Sequence, residues 1–243
     1  MLKKITLLSA VLIAASLSYS WAQMVPEPRA TEVWDKEPAR VTPGEHGRPP
    51  SDAISLNASA WQSVNGDENP WTIEDGVMTV NPGTKDIRTK KSFGDVQLHV
   101  EWRIPELDAK FTDQDRGNSG VFLQQFYEVQ VLDSYENKTY NNGQAGSLYK
   151  QHIPLANATK PATQWQTYDI IYTAPRFSKN GTVISQARIT VIHNGVLIQN
   201  NVSLVGPTVY IGSPAYDAHG DLPIYLQDHD HEVSYRNIWL REL

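Results

Sequence analysis

Nine consecutive residues, Val96–Ile104, alternate without a break between apolar and polar side chains. Because successive side chains of a β-strand point to opposite faces, this period of two predicts a strand with one buried face. Similar segments recur along the chain, separated by turn dipeptides such as Asp75-Gly76 and Asn194-Gly195, which favour tight hairpins. No long window has the 3.6-residue period of an amphipathic helix. The pattern predicts an all-β sandwich or jelly roll.

The other predicted strands are short and follow one another to the C-terminus. They are Trp71–Val80 (as a hairpin), Val121–Leu132 (as a pair), Trp165–Thr173, Gln186–Gln199 (as a hairpin), Val209–Gly212, Ile224–Gln227 and Val233–Arg241. The chain contains no internal repeat, so we expect one large β domain rather than an array of similar units.

The N-terminus has the features of an export signal. Lys3 and Lys4 precede the apolar run Ile5–Leu17, and Ser20-Trp21-Ala22 places small residues at a cleavage site. We therefore predict a signal peptide over residues 1–22 and a secreted, most simply periplasmic, protein. Residues 23–52 contain six prolines and little apolar periodicity, which is typical of an extended N-terminal arm. The folded domain is predicted to cover residues 53–243.

Composition narrows the classes of partner. Without Lys3 and Lys4, 19 basic residues remain against 27 acidic ones, so the mature chain carries a net charge near −8. An acidic chain without basic runs is a poor nucleic-acid binder, and no segment after the signal is expected to enter a membrane. The chain has no cysteine, which excludes both disulfides and a lipoprotein anchor. Neutral polar ligands suit such a protein better.

Polar residues follow the predicted strand pair within Arg116–Tyr135. Gln124, Glu128 and Gln130 occupy its polar positions, and Asn118 lies where the first strand begins. Carboxylate and amide groups on a rigid sheet can line a sugar-binding groove, although a solvated outer face of a sandwich gives the same pattern. Glu101 also occupies a polar strand position, and it would line the same groove if its strand belonged to the same sheet.

The chain resembles the DUF1080 family, also called the 3-keto-disaccharide hydrolase (3-keto-glucoside hydrolase/lyase) family. The segments that carry the resemblance are RGNSGVFLQ and YEVQVLDSY within residues 116–135, Glu101-Trp102-Arg103, Trp165-Gln166-Thr167-Tyr168, residues 223–229 (PIYLQDH) and residues 235–239 (YRNIW). The resemblance implies a concanavalin A-like jelly-roll sandwich of two antiparallel sheets. It also implies action on 3-keto-glucosides or 3-keto-disaccharides, in which the glucose C3 hydroxyl has been oxidised to a ketone.

Such a ketone acidifies the hydrogen on C2, so that a base can remove it and the enolate can expel the C1 substituent. This β-elimination needs a general base, a group that stabilises the enolate oxygen, and an acid for the departing glycosidic oxygen. We assign catalytic candidates by residue type as Glu101, Glu128 and His229, because carboxyl and imidazole groups carry protons near neutral pH. The candidates for substrate binding are Arg103, Arg116, Asn118, Gln124, Gln130, Asp133, Lys150, Gln227 and Asp228.

The run from Gln227 to His231 also admits a metal. Asp and His are competent ligands, and His229 and His231 would share one face of a strand. Two ligands two residues apart are a weak signal, so no cofactor is assigned, although a divalent metal is compatible with the run.

Two alternatives remain open. A retaining endo-glucanase of the jelly-roll class needs two carboxyls about 5–5.5 Å apart, but position 130 is glutamine and Asp133 is out of phase with Glu128. A non-catalytic carbohydrate-binding module would use the same groove without chemistry, and the residue pattern does not distinguish it from an enzyme.

Overall fold

The structure, a computed structural model, describes residues 27–243. The predicted signal peptide lies outside the described residues. The chain divides into two units, residues 1–40 and residues 41–243. In the first unit, residues 27–40 are exposed and contain one 3-10 helix, Pro28–Thr31. Within the described part of the chain, no helix is long and apolar enough to cross a bilayer.

The second unit consists almost entirely of short strands. In chain order they are β1 (Ile54–Ser55), β2 (Trp61–Ser63), β3 (Thr72–Glu74), β4 (Val77–Thr79), β5 (Ile87–Thr89), β6 (Val96–Arg103), β7 (Ser119–Leu123), β8 (Tyr127–Val131), β9 (Gln166–Thr173), β10 (Arg176–Phe177), β11 (Val183–Ser185), β12 (Arg188–His193), β13 (Val196–Ser203), β14 (Tyr225–Leu226) and β15 (Ser234–Glu242). Two 3-10 helices, Ala58–Ala60 and Asn141–Gly143, interrupt them.

Two antiparallel sheets account for most of these strands. The larger sheet has eight strands in the order β13-β12-β9-β6-β15-β4-β3, with β1 paired to β15. The smaller sheet has five strands in the order β2-β5-β14-β7-β8, and β10 and β11 form a separate hairpin. The prediction of an all-β, concanavalin A-like jelly-roll sandwich of two antiparallel sheets is confirmed.

The apolar residues of each strand face the space between the sheets. In β6 the buried side chains Val96, Leu98, Val100 and Trp102 alternate with polar ones on the outer face, as the sequence predicts, although His99 on that face is also buried. Hydrogen bonds cross this core from one sheet to the other. The Tyr168 hydroxyl donates to the Gln130 carbonyl oxygen at 2.7 Å. Each sheet therefore has one face toward the core and one outer face, and the two outer faces lie on opposite sides of the sandwich.

Local turn chemistry explains several element boundaries. Asn194 and Gly195 both have positive φ, at 51° and 83°, and join β12 to β13 in the hairpin that their sequence predicts. The predicted strand Val209–Gly212 is wrong, because this segment lies in an irregular loop between β13 and β14. Pro207 and Pro214 bracket it, and a proline cannot donate a ladder hydrogen bond.

Residues 41–52 form part of the second unit. The Gly47 carbonyl oxygen accepts hydrogen bonds from Asn237 Nδ2 at 2.8 Å and from Trp239 Nε1 at 3.0 Å. Asp52 forms an ion pair with Arg241 at 2.7 Å. This part of the Pro-rich segment therefore lies along the outer face of the larger sheet, where it covers the end of β15.

Candidate functional site

The outer face of the smaller sheet carries a polar cavity of about 250 Å³. Its lining residues come from strands β7 and β8 and from four loops; they are Asn118, Phe122, Glu128, Gln130, Tyr149, Thr208, Tyr210, Gln227 and His229. Cavities for drug-sized ligands span roughly 300–1,000 Å³, so this one matches a single sugar ring better than a long glycan.

Strand pairing brings the floor of the cavity together. Phe122 lies opposite Glu128, and Gly120 lies opposite Gln130, in the antiparallel pair of β7 and β8. Because the side-chain period of a strand is two, these four residues share the outer face, while the alternate residues, such as Val121 and Val129, enter the core. The prediction that Glu128 and Gln130 are adjacent polar positions on one face of the sheet is therefore confirmed.

Gly120 makes room for the Glu128 carboxyl group. A Cβ atom at position 120 would lie 2.7 Å from Glu128 Oε1 and 2.7 Å from Phe122 Cε2. Both separations are well inside van der Waals contact. The absence of a side chain at position 120 leaves the space that the Glu128 carboxyl group occupies.

Replacing Gly120 with alanine is expected to displace the Glu128 carboxyl group. We expect the free energy of unfolding to fall by about 1–3 kcal/mol, the usual cost of overpacking a filled site. Urea denaturation measures it. Gly220→Ala is the matched control, because a Cβ there would have nothing within 4 Å. Equal stability of the two variants would contradict this account of Gly120.

Glu128 is almost completely buried, with 5% of its surface exposed. Burial, assisted by the nearby negative charge of Asp86, raises the pKa of Glu128 to about 8. The carboxyl group is therefore mostly protonated at neutral pH and can donate a proton. Burial also raises the pKa of Asp86, which lies beside the start of β5.

The Gln130 amide contacts this carboxyl group directly. With its nitrogen turned toward Glu128, the amide donates to Glu128 Oε1 at 2.8 Å and to the Ser119 carbonyl oxygen at 3.0 Å. This orientation is assigned from the neighbouring donors and acceptors. Gln130 is itself buried, so it fixes the direction in which the carboxyl group points.

Three further predicted residues complete the polar lining. Gln227 has a buried Oε1 atom without a hydrogen-bond partner among the described residues, which suits it to accept a bond from a sugar hydroxyl. Asn118 donates from Nδ2 to the Gln114 carbonyl oxygen at 2.9 Å and keeps its amide at the cavity wall. His229 is exposed at the mouth of the cavity.

Glu101 does not belong to this cavity, so the expectation of one groove containing both Glu101 and Glu128 is wrong. Glu101 lies on β6 in the larger sheet and faces the opposite side of the sandwich. Its carboxylate accepts from Arg236 Nε at 2.6 Å and from Asn237 Nδ2 at 2.8 Å. Burial alone would raise the pKa of Glu101, but these two hydrogen bonds outweigh it and the pKa is lowered. Glu101 is thus a charged structural partner.

Two other predicted binding residues also have structural partners away from the cavity. The Arg103 guanidinium stacks on the Trp165 ring at 4.7 Å, on the Glu101 side of the molecule. The Gln124 side chain turns into the core, where Nε2 donates to the Phe93 carbonyl oxygen and Oε1 accepts from the Tyr172 hydroxyl. Gln124 leaves the face of Glu128 because it lies in the β7–β8 turn, with φ of 48°.

The remaining predicted residues flank the cavity without lining it. Arg116 Nε and Asp133 Oδ2 form an ion pair at 2.8 Å beyond the end of β8. Asp228 accepts from the backbone amides of Lys85 and Asp230 and shapes the turn that carries His229. Lys150 Nζ donates to the Tyr210 carbonyl oxygen at 2.7 Å, beside the cavity.

The two histidines of the C-terminal run diverge. Residues 229–231 form a bend rather than a strand, so the expectation of a shared strand face is wrong. His231 Nε2 lies 3.1 Å from Asp115 Oδ1, and its ring meets the edge of Phe111. Among residues 27–243, no group of three or more His, Asp or Glu side chains has the arrangement of a metal site.

Sequence reasoning missed several residues of the site, namely Asp86, Phe122, Tyr149, Thr208 and Tyr210. Phe122 could have been found, because it shares the two-residue period of Gly120 and pairs with Glu128. The other four come from loops or strand ends that are distant in sequence, and no local pattern marks them.

Comparison with known proteins decides the family. Residues 52–241 match the family model described as a 3-keto-alpha-glucoside-1,2-lyase-like domain. The chain belongs to this family. The resemblance seen in the sequence is therefore confirmed, and it covers both sheets and the cavity.

Solved structures of similar chains agree with this membership. A crystal structure of a candidate glycosyl hydrolase from Parabacteroides distasonis ATCC 8503 shares 48% sequence identity and a TM-score of 0.84, covering 89% of this chain and 97% of that one. A second candidate glycosyl hydrolase from the same bacterium shares 20% identity and a TM-score of 0.57, covering 79% and 94%, and shows the common fold. No curated protein sequence matches the chain.

Proposed function

We propose that this protein is an exported carbohydrate-active enzyme that cleaves 3-keto-glucosides or 3-keto-disaccharides by β-elimination across C1 and C2. The observation that carries the proposal is the buried, protonated Glu128 at the floor of a sugar-sized polar cavity. A binding module gains nothing from a buried acid whose pKa lies near working pH, whereas proton transfer does. The family description names the same chemistry.

The proton transfers can be assigned to residues of the cavity. His229 at the mouth takes the C2 proton, and the electron pair of the C2–H bond forms the enolate of the C3 ketone. The enolate collapses, the C1–O bond breaks, and Glu128 gives its proton to the departing glycosidic oxygen. The products are the free alcohol and a C1–C2 unsaturated 3-keto sugar. Water adding across that double bond gives net hydrolysis.

Amide groups supply the remaining requirement, a stabiliser for the enolate oxygen. Asn118 and Gln227 line the cavity beside Gln130, whose two amide hydrogens are already donated to Glu128 and to the Ser119 carbonyl oxygen. One preorganised donor at a developing oxyanion is worth about 3 kcal/mol in the barrier. The ketone already activates the C2 hydrogen, so two such donors and one acid suffice for a useful rate.

Incubating the purified protein with p-nitrophenyl 3-keto-glucoside tests the proposal. We expect release of p-nitrophenol and transient formation of a 2-hydroxyglucal-type product, which mass spectrometry detects. The matched unoxidised p-nitrophenyl glucoside should remain intact, because its C2 hydrogen is not acidic. Binding of the keto sugar without release would favour a binding module, and equal cleavage of both compounds would favour an ordinary glycoside hydrolase.

A further inference from the structure

The cavity has one aromatic side, formed by Tyr149 and Tyr210, which we call the outer wall. Tyr210 lies in the irregular loop between β13 and β14, with 69% of its surface exposed. An exposed tyrosine at a cavity mouth presents a flat apolar face to a ligand. The floor and the opposite side carry the polar groups of Glu128, Gln130 and Gln227, with the Phe122 ring among them. The polar groups therefore lie away from the two tyrosines.

Lys150 attaches Tyr210 to the rest of the domain. Its Nζ atom donates to the Tyr210 carbonyl oxygen at 2.7 Å and lies 4.1 Å from the centre of the Tyr210 ring. The rings of Tyr140 and Tyr149 lie 5.7 Å from the same atom, and their hydroxyl oxygens are 2.6 Å apart. The ammonium group is thus surrounded by three aromatic rings, a cation–π arrangement.

The loop has few other attachments at this point. Thr208 is fixed, because its amide donates to the Phe126 carbonyl oxygen at 2.7 Å and its hydroxyl accepts from the Glu128 amide at 3.1 Å. Within residues 27–243, the Lys150 contact is the one hydrogen bond made to residues 209–215. The position of the Tyr210 ring over the cavity therefore depends on Lys150.

The cavity is too small for a whole disaccharide, so part of the substrate must contact the outer wall. A cavity of about 250 Å³ holds the 3-keto ring above Glu128, so the group attached at C1 must extend through the mouth, past Tyr149 and Tyr210. The Lys150 ammonium group donates to a carbonyl oxygen and lies against three rings. What this side of the cavity offers a ligand is the faces of two tyrosine rings, which suit a neutral group with a flat apolar face.

We propose that Tyr149 and Tyr210 form the subsite for the departing group, and that Lys150 is the positioning residue that holds Tyr210 in it. The subsite takes neutral substituents with a flat apolar face, such as an aryl group or the face of a second pyranose ring. This proposal rests on the proposed function, because it assumes that the 3-keto ring lies above Glu128.

Binding of two probes tests the subsite separately from turnover. Calorimetry on a His229→Ala parent compares p-nitrophenyl 3-keto-glucoside with methyl 3-keto-glucoside, which lacks the flat group. We expect the parent to bind the aryl probe about tenfold more tightly, which corresponds to a stacking gain near 1.4 kcal/mol. Tyr210→Ala and Lys150→Met should both bring the ratio of the two dissociation constants close to one. Lys150→Arg, which keeps the cation, should restore most of it.

The control is Lys179→Met, which removes an exposed lysine from the β10–β11 hairpin and should keep the parent ratio. A parent ratio near one, or a tenfold ratio that survives in both Tyr210→Ala and Lys150→Met, would overturn the subsite. The proposed function fails by a different result, namely no release of p-nitrophenol by the wild-type protein from the same aryl probe.

Discussion

Glu128→Gln is expected to lower kcat/KM for a 3-keto-glucoside by at least about a hundredfold, the usual contribution of a positioned proton donor. The substitution keeps the size and hydrogen-bonding shape of a protonated carboxyl group, so the contact with Gln130 and the space beside Gly120 are retained. What it removes is the proton that the departing glycosidic oxygen takes up. Steady-state cleavage of methyl 3-keto-glucoside measures the loss, because its methoxide leaving group needs the proton, whereas p-nitrophenolate can depart without one.

The chain offers a matched control for this experiment in Glu101→Gln. This substitution makes the same isosteric change on the opposite outer face, where Glu101 pairs with Arg236 and Asn237. We expect kcat/KM to change less than about threefold, while stability falls because a partly buried ion pair loses its charge. A large loss of turnover in Glu101→Gln, with Glu128→Gln nearly active, would reverse the assignment of the catalytic site.

The fold was predictable because its determinants are local. The alternation in Val96–Ile104 and the Asn194-Gly195 turn specify a strand and a hairpin without reference to the rest of the chain. The failure at Val209–Gly212 has a local cause that was visible, since Pro207 and Pro214 bracket the segment. Two prolines outweigh the β-propensity of Val209, Tyr210 and Ile211.

The site was predictable only where one strand pair builds it. Glu128 and Gln130 share a face because of the strand period, and that inference needed no topology. Glu101 failed because its place depends on which sheet β6 joins, a property of long-range pairing that residue pattern does not encode. The loop residue Tyr210 is 60 positions from Lys150, and no sequence pattern in either segment predicts their contact.

The composition of the cavity floor also argues against a standard retaining glycosidase. That mechanism needs a second carboxyl close enough to act as nucleophile, yet the neighbour of Glu128 on the same face is the amide of Gln130. The amide fixes the direction of the acid and supplies no second carboxyl group, while burial and the negative charge of Asp86 keep the acid neutral. A substrate that carries its own activating ketone removes the need for a nucleophile, and the geometry agrees with elimination in this respect.

The burial of Glu128 should also make the stability of the protein fall as pH rises. Its pKa is 4.5 in an ordinary environment and about 8 in the folded protein. Between these values the folded state holds a proton that the unfolded state has released, so the free energy of unfolding decreases with rising pH. At 1.36 kcal/mol for each pKa unit, the total loss from Glu128 is about 5 kcal/mol, complete roughly one pH unit above the folded-state pKa. Such a loss is comparable to the whole stability of many domains.

The measurement is urea denaturation of the wild-type protein and of Glu128→Gln at intervals from pH 4.5 to pH 9. Glutamine carries no titrating proton, so subtracting the two curves cancels the other titrating groups, apart from the charge coupling to Asp86. We expect Glu128→Gln to gain stability relative to the wild type by about 4 kcal/mol between pH 4.5 and pH 9, with the gain levelling off above pH 8. A flat difference would show that the carboxyl group ionises normally in the folded protein, and the proton donor would then have to be sought in Asp86.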